Sequence, residues 1–152
     1  MQAPILTAHG RCQHQASTFS SFLSIMAEAK KYQMLIEVAT QYVGEQSDPM
    51  AGRYFFAYTI RITNVGTVAA QLISRHWLIR DAEGAVQEVR GLGVVGHQPL
   101  LQPRERFEYT SGCMIATPVG TMRGSYQLTA EDGTQFEALI DEFVLSMPRT
   151  LH

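Results

Sequence analysis

Two cysteines in 152 residues allow one disulfide at most. Neither a C-x-x-C pair nor a Cys/His cluster of zinc spacing occurs. Cys12 and Cys113 therefore read as free thiols of a reducing compartment, and the chain as cytoplasmic. No apolar run approaches the ~20 residues that cross a bilayer, so no membrane insertion is expected. The formal net charge of −2 supplies no basic field to draw in nucleic acid or an anionic surface. Catalytic parts are equally scarce. Ser111 lacks the G-x-S-x-G elbow, Cys113 alternates with core-type residues, and the carboxylates are scattered rather than paired. The chain is thus expected to be no enzyme and to carry no cofactor.

What is present is ordinary globular chemistry, 45% hydrophobic and 17% charged, on a length that suits one domain with a real core. Residues 1–31 read as an extension, disordered or non-native, with Met26 as an alternative start. Phe19–Ala29 resembles a secretory core only faintly, because serines interrupt it and Arg11 is the sole strong cation before it. The domain is expected over 32–152.

From Tyr32 onward the pattern has period two, the spacing of half-buried strands. Ile36, Val38, Thr40 and Tyr42 share one face. After a polar loop at 45–49 comes the strongest strand, with Tyr54, Phe56, Tyr58, Ile60 and Ile62 on one side. It closes at Asn64-Val65-Gly66. Leu72–Asp81 is a third strand, with Ile73, Trp77 and Ile79 directed at the core. Glu83-Gly84 turns it into Val86–Arg90. Beyond a glycine-rich loop, Phe107, Tyr109, Cys113 and Ile115 line a further strand, with Gly112 marking a bulge or a close approach. Met122, Tyr126, Leu128 and Ala130 line the next. Asp132-Gly133 is a hairpin turn into Phe136, Ala138 and Ile140. Alternation slips at Asp141-Glu142 and resumes at Phe143, Leu145 and Met147. About seven strands, turns at roughly ten-residue spacing and no helix imply an all-β antiparallel sandwich or barrel. Trp77 on a middle strand and Tyr126-x-Leu128-x-Ala130 on a late one suit a fibronectin type III-like sandwich.

The most conspicuous motif is Gly91-x-Gly93-x-x-Gly96. A dinucleotide fold needs a helix after these glycines. Pro99 and Pro103 and the absent 3.6-residue period deny one. Two readings remain: an anion nest of backbone amides with Arg90 and His97 at its flanks, or a loop crossing between sheets with glycines for tight packing. Divalent-cation ligands would come from His76, His97, Glu88, Glu45, Asp48 and His152, yet no pair shares ligand spacing on one regular element, and no metal site is expected. Trp77 reads as core. Arg75 shares its side unless the strand is bulged, and His76 faces the other way. Aromatics on both faces of the second strand leave Phe55 in need of cover.

Several stretches have a family look. They are Arg53-Tyr54-Phe55-Phe56-Ala57-Tyr58-Thr59-Ile60, the L-x-x-R-x-W of Leu72–Trp77 and the G-x-G-V-V-G-x-Q-P of Gly91–Pro99. Tyr109-Thr110-Ser111-Gly112, the run from Thr117-Pro118 to Tyr126, and the ending Pro148–His152 follow in the same order. Residues 32–152 closely resemble the bacterial ApaG family. The resemblance implies an immunoglobulin-like, fibronectin type III-like β-sandwich. It also implies an association with Co²⁺ resistance and Mg²⁺ efflux, and related domains stand in eukaryotic multidomain proteins as interaction modules. A sandwich of this kind conducts no ions, so an efflux role would run through a partner. The expected function is a non-enzymatic protein–protein interaction domain, with self-association through an exposed strand edge as a further option. Its recognition surface is placed at Gly91, Gly93, Gly96, Arg90, His97, Arg75 and His76. The alternatives are a phosphate or nucleotide sensor using the loop, and direct divalent-cation binding.

Overall fold

The computed structural model describes residues 31–149. The chain runs β1 (Met34–Tyr42), β2 (Tyr54–Asn64), β3 (Ala70–Asp81), β4 (Val86–Leu92), β5 (Leu100–Leu101), β6 (Arg106–Ile115), β7 (Val119–Ala130) and β8 (Gln135–Ser146). Two single-turn 3-10 segments, Gly44–Gln46 and Pro49–Ala51, shape the polar loop after β1. One sheet has the order β1-β2-β6. The other has β4-β3-β7-β8, with β5 also on β3. Every pairing is antiparallel, and the two sheets face each other as a β-sandwich. Seven long strands answer the expected number. The eighth, β5, is two residues long.

The core is the meeting of the inner faces. Phe56, Tyr58, Ile60 and Ile62 come from β2, Trp77 and Ile79 from β3, Met122, Tyr126 and Leu128 from β7, and Ile140 and Leu145 from β8. Alternation puts each set on one side, and in β8 a bulge between Ile140 and Phe143 keeps Ile140 and Leu145 on the same face. Burying one such side chain contributes about 1.5–3 kcal/mol. Trp77 is 2% exposed and lies between Tyr58 at 5.5 Å, Phe143 at 6.0 Å and Tyr126 at 6.2 Å between ring centroids. Its Cε3 edge rests over Gly124 of β7, where a Cβ would meet the ring at 3.0 Å and also strike the His76 carbonyl.

One inward assignment is corrected. Leu72, not Ile73, reaches the core. The β3–β7 register runs Leu72↔Leu128 and then Ser74↔Gln127, leaving Ile73 as the extra residue of a bulge. That single insertion reverses the parity of β3, so Leu72 and Trp77 can both point inward. The slip at Asp141-Glu142 is a second bulge, opposite Arg123: Met122 pairs Phe143 while Gly124 pairs Ile140. Gly112, by contrast, lies in an unbroken register with Ala57. It is a close-approach point. The Phe55 ring occupies the space where a Gly112 Cβ would sit, so the outer-face aromatic lies down over the diagonal glycine of β6.

Asn64 is buried and fully engaged. Its Nδ2 donates to the carbonyls of Val68 (2.8 Å) and Leu101 (2.9 Å), and its Oδ1 accepts from the Gly66 amide (2.9 Å). One side chain thus ties the end of β2, the following turn and β5 together. Three tyrosines bring further polar groups into the core. The Tyr109 and Tyr126 hydroxyls are hydrogen-bonded to each other. Burial pushes Tyr58, Tyr109 and Tyr126 upward from the ordinary phenol value of 10.0. Burial also pushes the Cys113 thiol from 9.0 up to about 11.

Two outcomes follow from this packing. The unfolded chain ionises its thiol and phenols before the folded one does, so these groups add stability that is complete below about pH 9 and shrinks as the pH rises through 9 and 10 toward the folded-state values. Urea midpoints are expected to fall steadily over that alkaline range, and a midpoint flat to pH 11 would contradict the burial. Gly124→Ala is expected to cost about 2 kcal/mol by overpacking, read from denaturant unfolding followed through the fluorescence of Trp77.

Candidate functional site

β4 and β5 lie on the same edge of β3. Leu92 pairs Ser74, and Leu100 pairs Gln71. The glycine-rich stretch between them therefore does not cross from one sheet to the other. It is an excursion within a single interrupted edge strand, placed opposite the Ile73 bulge. The Ile73 carbonyl accepts from the Gly93 amide (2.8 Å) and from Gln98 Nε2 (2.9 Å). The Leu72 amide donates to Pro99 O at 3.0 Å. Inside the excursion Val94 and His97 exchange both backbone bonds, at 2.8 and 2.9 Å. Val95 (φ 49°) and Gly96 (φ 79°) form the two-residue turn, the type I′ combination with positive φ at both positions. The Val94 side chain is inserted in the core and anchors the loop from below.

The three glycines act for three different reasons. Gly91 pairs Arg75, and a Cβ there would press on the guanidinium, 2.8 Å from Nη1. Gly93 has φ 65°, and its Cβ would collide with the His97 carbonyl. Gly96 stands in open space and is needed only for its positive φ.

The other expected site residues divide into three places. Arg75 is half-buried on the inner face beside Trp77. Its Nη1 donates to the carbonyls of Leu92 (3.1 Å) and Gly93 (2.9 Å). His76 and Arg90 are cross-strand partners on the outer face, and Glu88 joins them. Its Oε1 lies 2.8 Å from His76 Nε2 and 3.0 Å from Arg90 Nη2. Hydrogen bonds from His76 and Arg90 hold the Glu88 carboxyl below its usual value. His97 goes elsewhere, its ring 5.8 Å from that of Phe107 on β6. The structure thus brings Gly91 and Arg75 together, and His76 and Arg90, but Glu88 and His97 do not meet. Among the described residues no group of three His, Cys, Asp or Glu side chains gathers as metal ligands. Glu45 lies within the first 3-10 turn and Asp48 stands at the N-cap of the second, while His152 and Cys12 lie outside the described residues, as does the Phe19–Ala29 stretch. For an anion nest, three of the loop's amides, those of Gly93, Val94 and His97, are already committed to carbonyls.

Sequence reasoning missed the loop's outward apolar surface. Leu92, Val95 and Leu100 are 75%, 57% and 55% exposed, and all belong to the interrupted edge. The clue was the Val94-Val95 pair, since Val94 anchors the turn in the core and Val95 is the first residue of the turn itself.

A family model for the ApaG domain matches residues 44–130, from the polar loop through β7 and including the whole excursion. The chain belongs to the ApaG family. It is 69% identical over 127 residues to Protein ApaG of Thiobacillus denitrificans, covering 84% of this chain and all of that one. Protein ApaG of Nitrosospira multiformis is 64% identical over the same length and shares. Among solved structures, the crystal structure described as an ApaA protein of Bordetella pertussis superposes with a TM-score of 0.77 at 61% identity, over 80% of this chain and 98% of that one. A second, a structural-genomics target, gives 0.73 at 45% identity over 78% and 90%. The architecture is therefore that of the family's solved members. No helix of the described residues is long and apolar enough to cross a membrane.

The glycine roles are separable by mutation. Gly93→Ala is expected to lose about 2 kcal/mol and to shift the backbone amide resonances of residues 93–98. Gly96→Asn, which tolerates positive φ in open space, is expected to stay within about 1 kcal/mol of wild type. Denaturant midpoints of the two variants decide the matter, and equal losses would remove the distinction.

Proposed function

We propose that this ApaG-family chain is a non-enzymatic, cytoplasmic protein-binding module, and that the partner docks on the interrupted edge of β4 and β5. One observation carries the reading: Leu92, Val95 and Leu100 expose apolar side chains on a loop whose shape is already set by backbone bonds to β3. A pre-shaped apolar knob loses little conformational entropy on binding. Exposed apolar groups clustered at one place, rimmed by polar ones, mark interaction surfaces more than isolated ones do. His97, in the same loop, adds a polar group beside the knob. The β4 edge beside the knob also offers unpaired backbone groups for strand addition. The family's association with Co²⁺ and Mg²⁺ efflux would then act through the partner. A phosphate cradle in the same loop is the weaker reading, because committed amides cannot also receive an anion.

The experiment is a paired capture with site-directed crosslinking. A photo-crosslinker replacing Gln98 is expected to label one or a few proteins in stoichiometric yield. Leu92→Glu with Val95→Glu is expected to abolish that labelling. Leu139→Glu, on the outer face of β8, is expected to leave it intact. All three surface changes should keep the urea midpoint within about 0.5 kcal/mol. Recovery of the same background proteins by wild type and by the double variant would overturn the assignment.

A further inference from the structure

The two sheets do not close fully at the edge where β4 faces β6. A cleft of about 260 Å³ opens there, with Tyr58, Arg75, Trp77, Val89, Ser111 and Cys113 in its lining. Gln87 Nε2 donates to Met114 O at 3.1 Å across its mouth. The cleft is separate from the exposed knob, since its walls are inner-face residues.

Its chemistry is one-sided. Arg75 brings a permanent positive charge to a half-buried position, and among the described residues no carboxylate pairs with it. Only Nη1 of its guanidinium is committed, to the two loop carbonyls. Gly91 is what makes room for that placement. Trp77 Nε1 is a buried donor with no hydrogen-bond partner. Trp77 is among the residues that line the cleft. The Tyr58 hydroxyl stands beside Ser111 and Arg75. No Asp or Glu lines the cavity. A buried donor left unpaired costs about 1–3 kcal/mol, and an arginine fork is matched to the two oxygens of a carboxylate. Ile79 and Val89 complete the walls with apolar surface.

We propose that this inter-sheet cleft binds a small organic carboxylate, with Arg75 as its counter-charge, Trp77 Nε1 and Tyr58 as further donors, and the apolar wall receiving its body. The volume is below the ~300–1,000 Å³ typical of drug-sized ligand sites, so the ligand is smaller than a nucleotide. This site stands independently of the loop's role in partner binding.

The single tryptophan makes the test direct, since a ¹⁵N-labelled sample shows one indole resonance. Benzoate and isobutyrate are titrated into the full chain, with benzamide and isobutyramide as neutral counterparts of the same shape. The carboxylates are expected to move the Trp77 indole signal saturably, and the amides to leave it in place. Arg75→Gln, which keeps a donor for the loop carbonyls, is expected to weaken carboxylate binding by about tenfold or more. Val89→Phe, which leaves Arg75 untouched and fills the cleft, is expected to abolish it. Leu92→Glu with Val95→Glu is expected to change nothing here. An indole signal unmoved by either carboxylate, equal shifts from acids and amides, or undiminished binding in Val89→Phe would each overturn the proposal.

Discussion

The Ile73 carbonyl is the contact on which the rest of this molecule's distinctive architecture depends. Ile73 is the surplus residue of a bulge in β3, and its oxygen holds both ends of the glycine-rich excursion through the Gly93 amide and the Gln98 side chain. The Leu72 amide bond to Pro99 O and the Val94–His97 pair complete the hold on the gap between β4 and β5. The same bulge reverses the facing of every later residue in β3. Arg75, Trp77 and Ile79 turn inward because of it, and His76 turns out to meet Glu88 and Arg90.

A sandwich of two antiparallel sheets normally fills its interior with apolar side chains alone. Here one end of the interior is polar. Tyr109 and Tyr126 satisfy each other, Tyr58 stands near Ser111, and Arg75 caps the loop carbonyls from within. Buried polar groups are retained only when paired, which makes the unpartnered Trp77 indole the exception. The chain thus presents two surfaces of opposite kind on one edge. The outer one is an apolar knob, and the inner one is a cavity of hydrogen-bond donors.

Much of the fold was legible before any coordinates. β2, β6 and β7 each declare their inner face through alternation, and β8 does so on either side of its slip, because one face of each strand meets the core and the other meets water. The Asp141-Glu142 slip was readable for the same reason, since two acids interrupt the apolar parity between Ile140 and Phe143. The Ile73 bulge was not. Period two pairs Ile73 with Trp77 and Ile79, and the adjacent Leu72, apolar and similar in size, gives no sign that a bulge puts it inward instead. The two-residue β5 was equally silent, being a fragment of an edge strand rather than an element with a pattern of its own.

Sequence by itself determined the class of the fold, the strands, the turns and the ApaG-family membership, since these rest on local periodicity and on motifs in linear order. It also marked Gly91, Gly93 and Gly96 as constrained. Tertiary structure alone decided what constrains them: an arginine, a carbonyl and a turn. It alone separated Arg90 from His97 and placed Arg75 inside with Trp77. Side-chain direction after a bulge depends on which residue the neighbouring strand leaves unpaired, and that is a property of two strands in register, not of either one.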